Sequence, residues 1–516
     1  METRSASEGF FNQQHLPNSM NEYSPSGDLP IAELITPSTA PDTQSPLVEL
    51  FCWGLIVAIC GLTFASQWMV QNSEPEKSDQ PASELAEVRS VGFMTRILIA
   101  QKNLAGGSAD VIVGNLNQGT LWQRYAAAIE VGELSGPAGA LAFLGEVDAA
   151  VQESNYQPDD RQIAVRQSLE NIFNVRELTA PGEIATFDPR DSDVLTSEFD
   201  WLGTLALNPI PQNREMVRPG IDDRSNRLIY ILIGVGMVGI LMFLASAICL
   251  PLAVVQFFRG RFRSAMPDQT FSGSIYLEMF ACWLVLTVII VPAIFATLGL
   301  AGKEDLNESI LVLGPISQLL PVAGALIWPM LRGKSLAGMM QELGLTAKNP
   351  LAEIGAGIFG YLCAIIPLVI LLAVVSVTMF LGGSVDTTRL DSAPAIHPVQ
   401  NLLMSGDLSM ILFVLVVACI LAPIVEEIVF RGALYRYLRD RTGNYSRWTS
   451  VTVSILVAGI LFAAIHPQNL VGLIPLTSLA VAMAMMRQWR SSLVASMTFH
   501  ALNNGVVMMT MLLIYL

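Results

Sequence analysis

An all-α polytopic transmembrane bundle of about nine spans, with a mainly helical soluble insert between spans 1 and 2, is the fold this sequence predicts. Three observations predict it. The 516 residues are 52% hydrophobic and only 14% charged, whereas soluble domains run to about a quarter charged. Long apolar runs recur through the second half of the chain. Each reaches across, or nearly across, a hydrocarbon core of about 30 Å at about 1.5 Å per helical residue. Arginine and lysine collect in alternate loops between those runs, as positively charged inner loops do in a chain threaded back and forth through a bilayer.

Taken in order, residues 1–46 are polar and rich in Ser, Pro, Asn and Gln, and read as a disordered tail. No charged n-region or apolar h-region of a secretory signal opens them. Residues 47–70 hold the first anchor, around the apolar run Leu50–Val70, expected to act as an uncleaved signal anchor. Residues 71–226 are mostly polar and show helical periodicity at Thr120–Val131 and Arg161–Phe173. Breaks fall at Gly136–Pro137 and Pro181–Gly182. This soluble domain contains no histidine or cysteine and no motif with chemistry attached, so a helical interaction or spacer module is expected. Residues 227–407 form the N-terminal part of the bundle, with apolar runs Leu228–Phe258, Ile275–Leu300, Ile310–Leu331 and Ile354–Leu381. Residues 408–516 complete it with Leu408–Phe430, Val451–Ile465, Leu470–Met486 and Leu493–Tyr515.

Charge sets the orientation. Arg259, Arg261 and Arg263, then Arg332, Lys334 and Lys348, then Arg436, Arg439, Arg441 and Arg447, then Arg487 and Arg490 follow every second span. The opposite loops hold little beyond Lys303 and Arg389. The expected topology has the N-terminus cytoplasmic, and the soluble domain and C-terminus outside, in an integral membrane protein suited to a bacterial plasma membrane. A net charge of −15 excludes a nucleic-acid partner that relies on a basic patch. The six cysteines all lie in apolar runs without CxxC spacing and read as small buried hydrophobes.

Ionisable side chains inside a span cost on the order of 2.5–3.5 kcal/mol each, and most of the runs avoid them. The sixth does not: Glu426 and Glu427 are adjacent, with Arg431 one turn on. Glu427 and Arg431 are i,i+4 neighbours and pair on a helix, which leaves Glu426, about 100° round, without that partner. Of four histidines, His15 lies in the tail and His397 in a loop, while His466 ends the seventh span and His500 lies inside the ninth. Phe462 stands four residues before His466 and packs beside its ring. His500 and Asn504 present an imidazole and a carboxamide on one face, two donors suited to a developing oxyanion. A carboxylate beside a neutral imidazole holds a water and takes its proton. The plainer reading makes Glu426 a structural residue at a span end and each histidine a helix–helix hydrogen bonder.

Glu426-Glu427-x-x-x-Arg431, Phe462-x-x-x-His466 and His500-x-x-x-Asn504 together resemble the three motifs of the type II CAAX prenyl endopeptidase and bacteriocin-processing (CPBP) family, in the family's order and on separate apolar segments. The resemblance covers residues from about 408 to 516. It implies an intramembrane endopeptidase of the glutamate/histidine type, in which Glu426 and His466 activate water, His500 and Asn504 stabilise the oxyanion, and Glu427 and Arg431 shape the site. The partners it implies are the lipid bilayer and a peptide or protein substrate, with lipidation left open. No cofactor is expected. The alternative is zinc on Glu426, His466 and His500 with a fourth position open to water, although no HExxH is present. Outside enzymology, a non-proteolytic immunity or scaffold protein of the same family and a transporter with midplane polar groups are the competing readings; no repeat of spans supports the transporter. One tension remains in the sequence. Counting about 1.5 Å per residue from the nearest inner arginines puts Glu426 and His500 each roughly 15 Å deep and His466 deeper, so a common site requires tilted or broken helices.

Overall fold

The computed structural model describes residues 45–515 apart from 73–80, 106–116, 181–182, 209–217, 263–265, 267–272, 299–306, 382–402, 404–407 and 467–469. All of them belong to one compact unit, Gln44–Leu516. The expected tail up to residue 44, with His15, lies outside the described residues. So do Pro181–Gly182, Arg263, Lys303, Arg389, His397 and Pro467.

Helix α1 (Pro46–Asn72) opens the described chain. It is followed by α2 (Pro81–Ala105), α3 (Leu121–Leu134), α4 (Gly136–Glu153), α5 (Asp160–Leu178), α6 (Pro189–Phe199) and α7 (Trp201–Leu207). These six close around a core of their own that includes Leu121, Trp122, Leu144, Leu169, Phe173 and Phe199. Their boundaries follow local chemistry. Thr120 and Asp159 each form a reciprocal capping box, with Gln123 and Gln162 respectively, and Gly136 turns the chain from α3 into α4 at φ +82°. The α6–α7 corner is tight enough that a Cβ on Gly203 would lie 2.0 Å from the Leu195 carbonyl oxygen.

Burial in this core has a titratable consequence. Glu87 on α2 is 5% exposed and accepts a 2.5 Å hydrogen bond from the Thr120 hydroxyl. Loss of solvent, reinforced by Glu84, pushes its carboxyl up to about 7 against the pull of that hydrogen bond. A folded pKa above the unfolded one gives stability that is complete below the ordinary carboxylate range and is lost as pH rises through about 7. Glu87→Gln is therefore expected to raise the melting temperature above wild type at pH 8, with the gap closing by pH 5. Equal gaps at both pH values in a thermal melt would contradict this.

Helix α8 (Arg218–Phe258) runs 41 residues without interruption. The expected domain boundary at 226/227 thus falls inside one helix, which packs on α2 at one end and enters the bundle at the other. The bundle continues with α9 (Ile275–Thr297), α10 (Asn307–Leu331), the short α11 (Leu336–Leu343), α12 (Pro350–Leu381), α13 (Leu408–Arg441), α14 (Arg447–Ala464), α15 (Leu470–Arg490) and α16 (Leu493–Tyr515). Among the described residues there is no strand, and eight helices are long and apolar enough to cross a membrane. The fold is a polytopic helical bundle. The eighth expected span, Leu470–Met486, forms α15, whose last turns carry Arg487 and Arg490, and it is not among the eight helices.

Side-chain contacts show which helix ends share a face. Arg441 reaches Glu49 at 3.0 Å, Phe257 meets Trp448, Tyr276 bonds Glu342 at 2.7 Å, and Arg490 grips Glu353 at 2.7 and 2.9 Å. The start of α1 and α12 and the ends of α8, α13 and α15 therefore lie together, along with Arg332, Lys334 and Arg447. The α2–α7 core stands toward the opposite end, where α2 also touches α16. Not all the arginines assigned to inner loops are there. Helix α13 continues past the apolar run to Arg441, and Arg436, Arg439 and Arg487 are buried to 1–2% exposure. All six cysteines are free thiols, Cys52 and Cys60 buried and the others half-buried.

Candidate active site

Helix α13 is not a regular helix, and its irregularity aims the acidic pair. It contains two π-helical turns, Val417–Leu421 and Ile428–Leu434, separated by the single stretch Ala422–Glu427. Pro423 accounts for the first. Its ring clashes with the carbonyl four residues back, and a widened turn relieves the clash. Ala422 N–H bonds to the Val417 carbonyl five residues back. The next donor in that register would be residue 423, which as proline has no N–H, so the Ala418 carbonyl lacks a backbone partner. Asn504 supplies one, donating from Nδ2 at 2.9 Å.

The second carboxylate is held from several sides. Glu427 Oε1 accepts Nη1 of Arg431 at 2.8 Å and Nδ1 of His500 at 3.1 Å, with Glu427 and Arg431 both at 0–1% side-chain exposure. Arg431 also donates Nη2 to the Ala480 carbonyl at 3.2 Å. The i,i+4 pair read from spacing is therefore also the support of His500. Glu426 points elsewhere. Its Oε2 lies 3.7 Å from Nε2 of His466 and 3.7 Å from Nε2 of His500. That oxygen has no hydrogen-bond partner among the described residues.

Both histidine tautomers follow from their partners. Nδ1 of His466 sits 2.6 Å from the Phe462 carbonyl, which only accepts, so Nδ1 carries the proton. Nδ1 of His500 faces a carboxylate already paired with arginine, so it too is the donor. Each ring then turns Nε2 toward Glu426, as an acceptor when neutral and a donor when protonated. Phe462 packs these groups together: its ring centroid lies 4.4 Å from that of His466 and 5.9 Å from that of His500, with the Arg431 guanidinium 4.6 Å over its face. Access is graded, with side-chain exposure of 24% at His466, 17% at Glu426 and 6% at His500. The site opens at its Glu426–His466 edge.

The structure brings together Glu426, Glu427, Arg431, Phe462, His466 and His500. It gives Asn504 a backbone partner on α13, with one of its two amide protons committed there. Glu426 lies between the two π turns of α13 and His466 just past the end of α14 at Ala464, and both meet His500 in one cluster. Motif spacing alone marks neither Pro423 nor Arg487 as a site residue. Pro423 carries a readable signal in its position three residues before Glu426. Arg487 carries none, because its place near a span end is that of an ordinary loop charge.

The donor set also bears on a metal. Four ligands at about 2.0–2.1 Å around zinc stand roughly 3.3–3.4 Å from one another, and both carboxylate–imidazole separations here are wider at 3.7 Å. Among the described residues, no group of three or more His, Cys, Asp or Glu side chains is disposed to hold a metal ion.

Fold and site define an integral membrane protein of the helical type with a glutamate–histidine cluster in its C-terminal helices. Residues 408–506 match the family model for Type II CAAX prenyl endopeptidase Rce1-like proteins, so this segment is a domain of that protease family. No curated protein and no solved structure matches the chain.

Proposed function

We propose that the protein is an intramembrane endopeptidase that hydrolyses a peptide bond with a water activated by Glu426 and His466. The observation that carries this reading is the convergence of one carboxylate oxygen and two imidazole Nε2 atoms at 3.7 Å, in a domain of an endopeptidase family. A water entering at the open edge donates its protons to Glu426 and to Nε2 of His466. As its oxygen attacks the carbonyl carbon, Glu426 takes one proton and later returns it to the leaving amine, and the C–N bond breaks. When its Nε2 carries a proton, His500, backed by Glu427, donates that N–H to the oxyanion, and the second amide proton of Asn504 assists. Glu427 and Arg431 hold His500 in place. The buried ring of Phe462 excludes water from the inner side.

This mechanism calls on no metal. A chelator is expected to leave the purified, active protein unaffected, while loss of activity restored by stoichiometric zinc would overturn the metal-free reading. The substrate is a peptide or a protein segment reaching the membrane, and the family name makes prenylated C-terminal peptides the first class to try. A library of prenylated and unprenylated peptides, incubated with the protein in nanodiscs, tests both points. Cleavage confined to prenylated members would define the substrate class, and intact peptides throughout would count against the peptidase.

The rule that positive loops stay inside places the face of Arg332, Arg441, Arg447 and Arg490 at the cytoplasm and the α2–α7 core outside. Labelling of single cysteines introduced at exposed positions of α5 in intact cells tests this. Labelling only after lysis would reverse the orientation.

A further inference from the structure

Of the three π-helical turns in the described chain, two have an evident cause. Leu286–Ile290 and Val417–Leu421 each stand just ahead of a proline, Pro292 and Pro423, whose ring rejects the carbonyl four residues back. The third, Ile428–Leu434, has none: its sequence IVFRGAL and the residues that follow it in α13 contain no proline. It is nevertheless the turn that sets Arg431 relative to Glu427. Wide π turns are rare, so something outside the helix must favour this one.

That something lies on α15. Tyr435 N–H bonds to the Phe430 carbonyl five residues back. Returning from five-residue to four-residue spacing skips one carbonyl, and the next in line is that of Arg431. Arg487 meets it, donating Nε at 3.3 Å while Nη2 donates to the Glu342 carbonyl at 3.0 Å. Arg487 is 1% exposed. The turn after α11 is shaped around its guanidinium: Gly344 adopts φ +83°, and a Cβ there would fall 2.3 Å from Nη1. Leu493 N–H, at the head of the His500 helix, bonds to the Gly344 carbonyl at 2.8 Å. The arrangement repeats the one at the first π turn, where Asn504 takes the unpaired Ala418 carbonyl.

We propose that Arg487 is a positioning residue for the peptidase site: it clasps the Arg431 carbonyl and the end of α11, holding the second π turn of α13 so that Glu427 and Arg431 stand behind His500. It acts through that turn and does not touch the substrate. The proposal rests on the peptidase reading for its kinetic consequence, while its structural consequence stands alone.

The test uses the full chain in nanodiscs with a cleaved peptide, comparing wild type, Arg487→Gln, Arg487→Lys and, from the same helix, Arg490→Gln. Misplacement of supporting groups acts on the chemical step. Arg487→Gln is thus expected to lower kcat about tenfold or more with KM changed less than about twofold. Lysine reaches one carbonyl and restores part of kcat, and Arg490→Gln stays near wild type. Hydrogen exchange is measured in parallel and is expected to quicken at residues 428–435 in Arg487→Gln. Wild-type kcat in Arg487→Lys, an equal loss in Arg490→Gln, or unchanged exchange at 428–435 would each overturn the clasp. If Arg487→Gln does not fold, the lysine variant decides by the same two readouts. If wild type cleaves nothing, the peptidase reading fails and the exchange comparison still decides the structural claim.

Discussion

Glu426→Gln is expected to abolish peptide cleavage while leaving the protein folded. Glutamine has the size of glutamate but cannot take a proton from water at neutral pH, so the general-base contribution is lost, a factor of about 10²–10⁴. Folding survives for a reason visible in the geometry. The neighbours of Glu426 are two imidazoles at 3.7 Å, each anchored through Nδ1 to something else. Kinetics and a thermal melt on the same preparation check the two halves together. Normal melting with retained cleavage would move Glu426 out of the mechanism and favour a scaffold that keeps the motif for its structure.

The adjacent carboxylate should behave in the opposite way. Glu427→Gln leaves Arg431 as an uncompensated charge at 1% exposure, and breaking a buried pair from one side costs about 3–5 kcal/mol. Arg431→Met strands Glu427 and is expected to cost a similar amount. The double variant Glu427→Gln/Arg431→Met leaves neither charge behind and should recover much of the stability, without recovering cleavage, because His500 has lost its carboxylate support. Unfolding of the four proteins in one detergent gives the cycle. Additive losses would mean that the pair is not coupled, contrary to the 2.8 Å contact.

The two neighbouring glutamates differ in their partners, and that difference is legible in the sequence. Helical spacing alone assigns Glu427 to Arg431 and turns Glu426 away. The spans are legible for a related reason: lipid demands long apolar helices, and their lengths survive in the primary structure. Three features are not legible. Spacing on an ideal helix cannot show that α13 widens twice, once on either side of Glu426. Asn504 reads as a free donor until the unpaired Ala418 carbonyl beside Pro423 is seen to claim one of its protons. Arg487, near a span end among other basic residues, reads as an inner-loop charge; only the fold shows it turned inward against Arg431. In each case the missing information is a backbone carbonyl, and a sequence does not show which carbonyls a helix leaves unbonded. The continuity of α8 through the expected domain boundary has a similar origin, since composition changes at residue 227 while helix propensity does not.

The central claim is that water attacks a peptide bond at Glu426. Its most direct test is to incubate the folded protein in nanodiscs with the mixed peptide library in heavy-oxygen water, and to read the products by mass spectrometry. The account predicts scission at a defined internal bond, with one heavy oxygen in the new carboxyl group, and no product from Glu426→Gln. Intact peptides throughout, or labelled product that persists in Glu426→Gln, would contradict it.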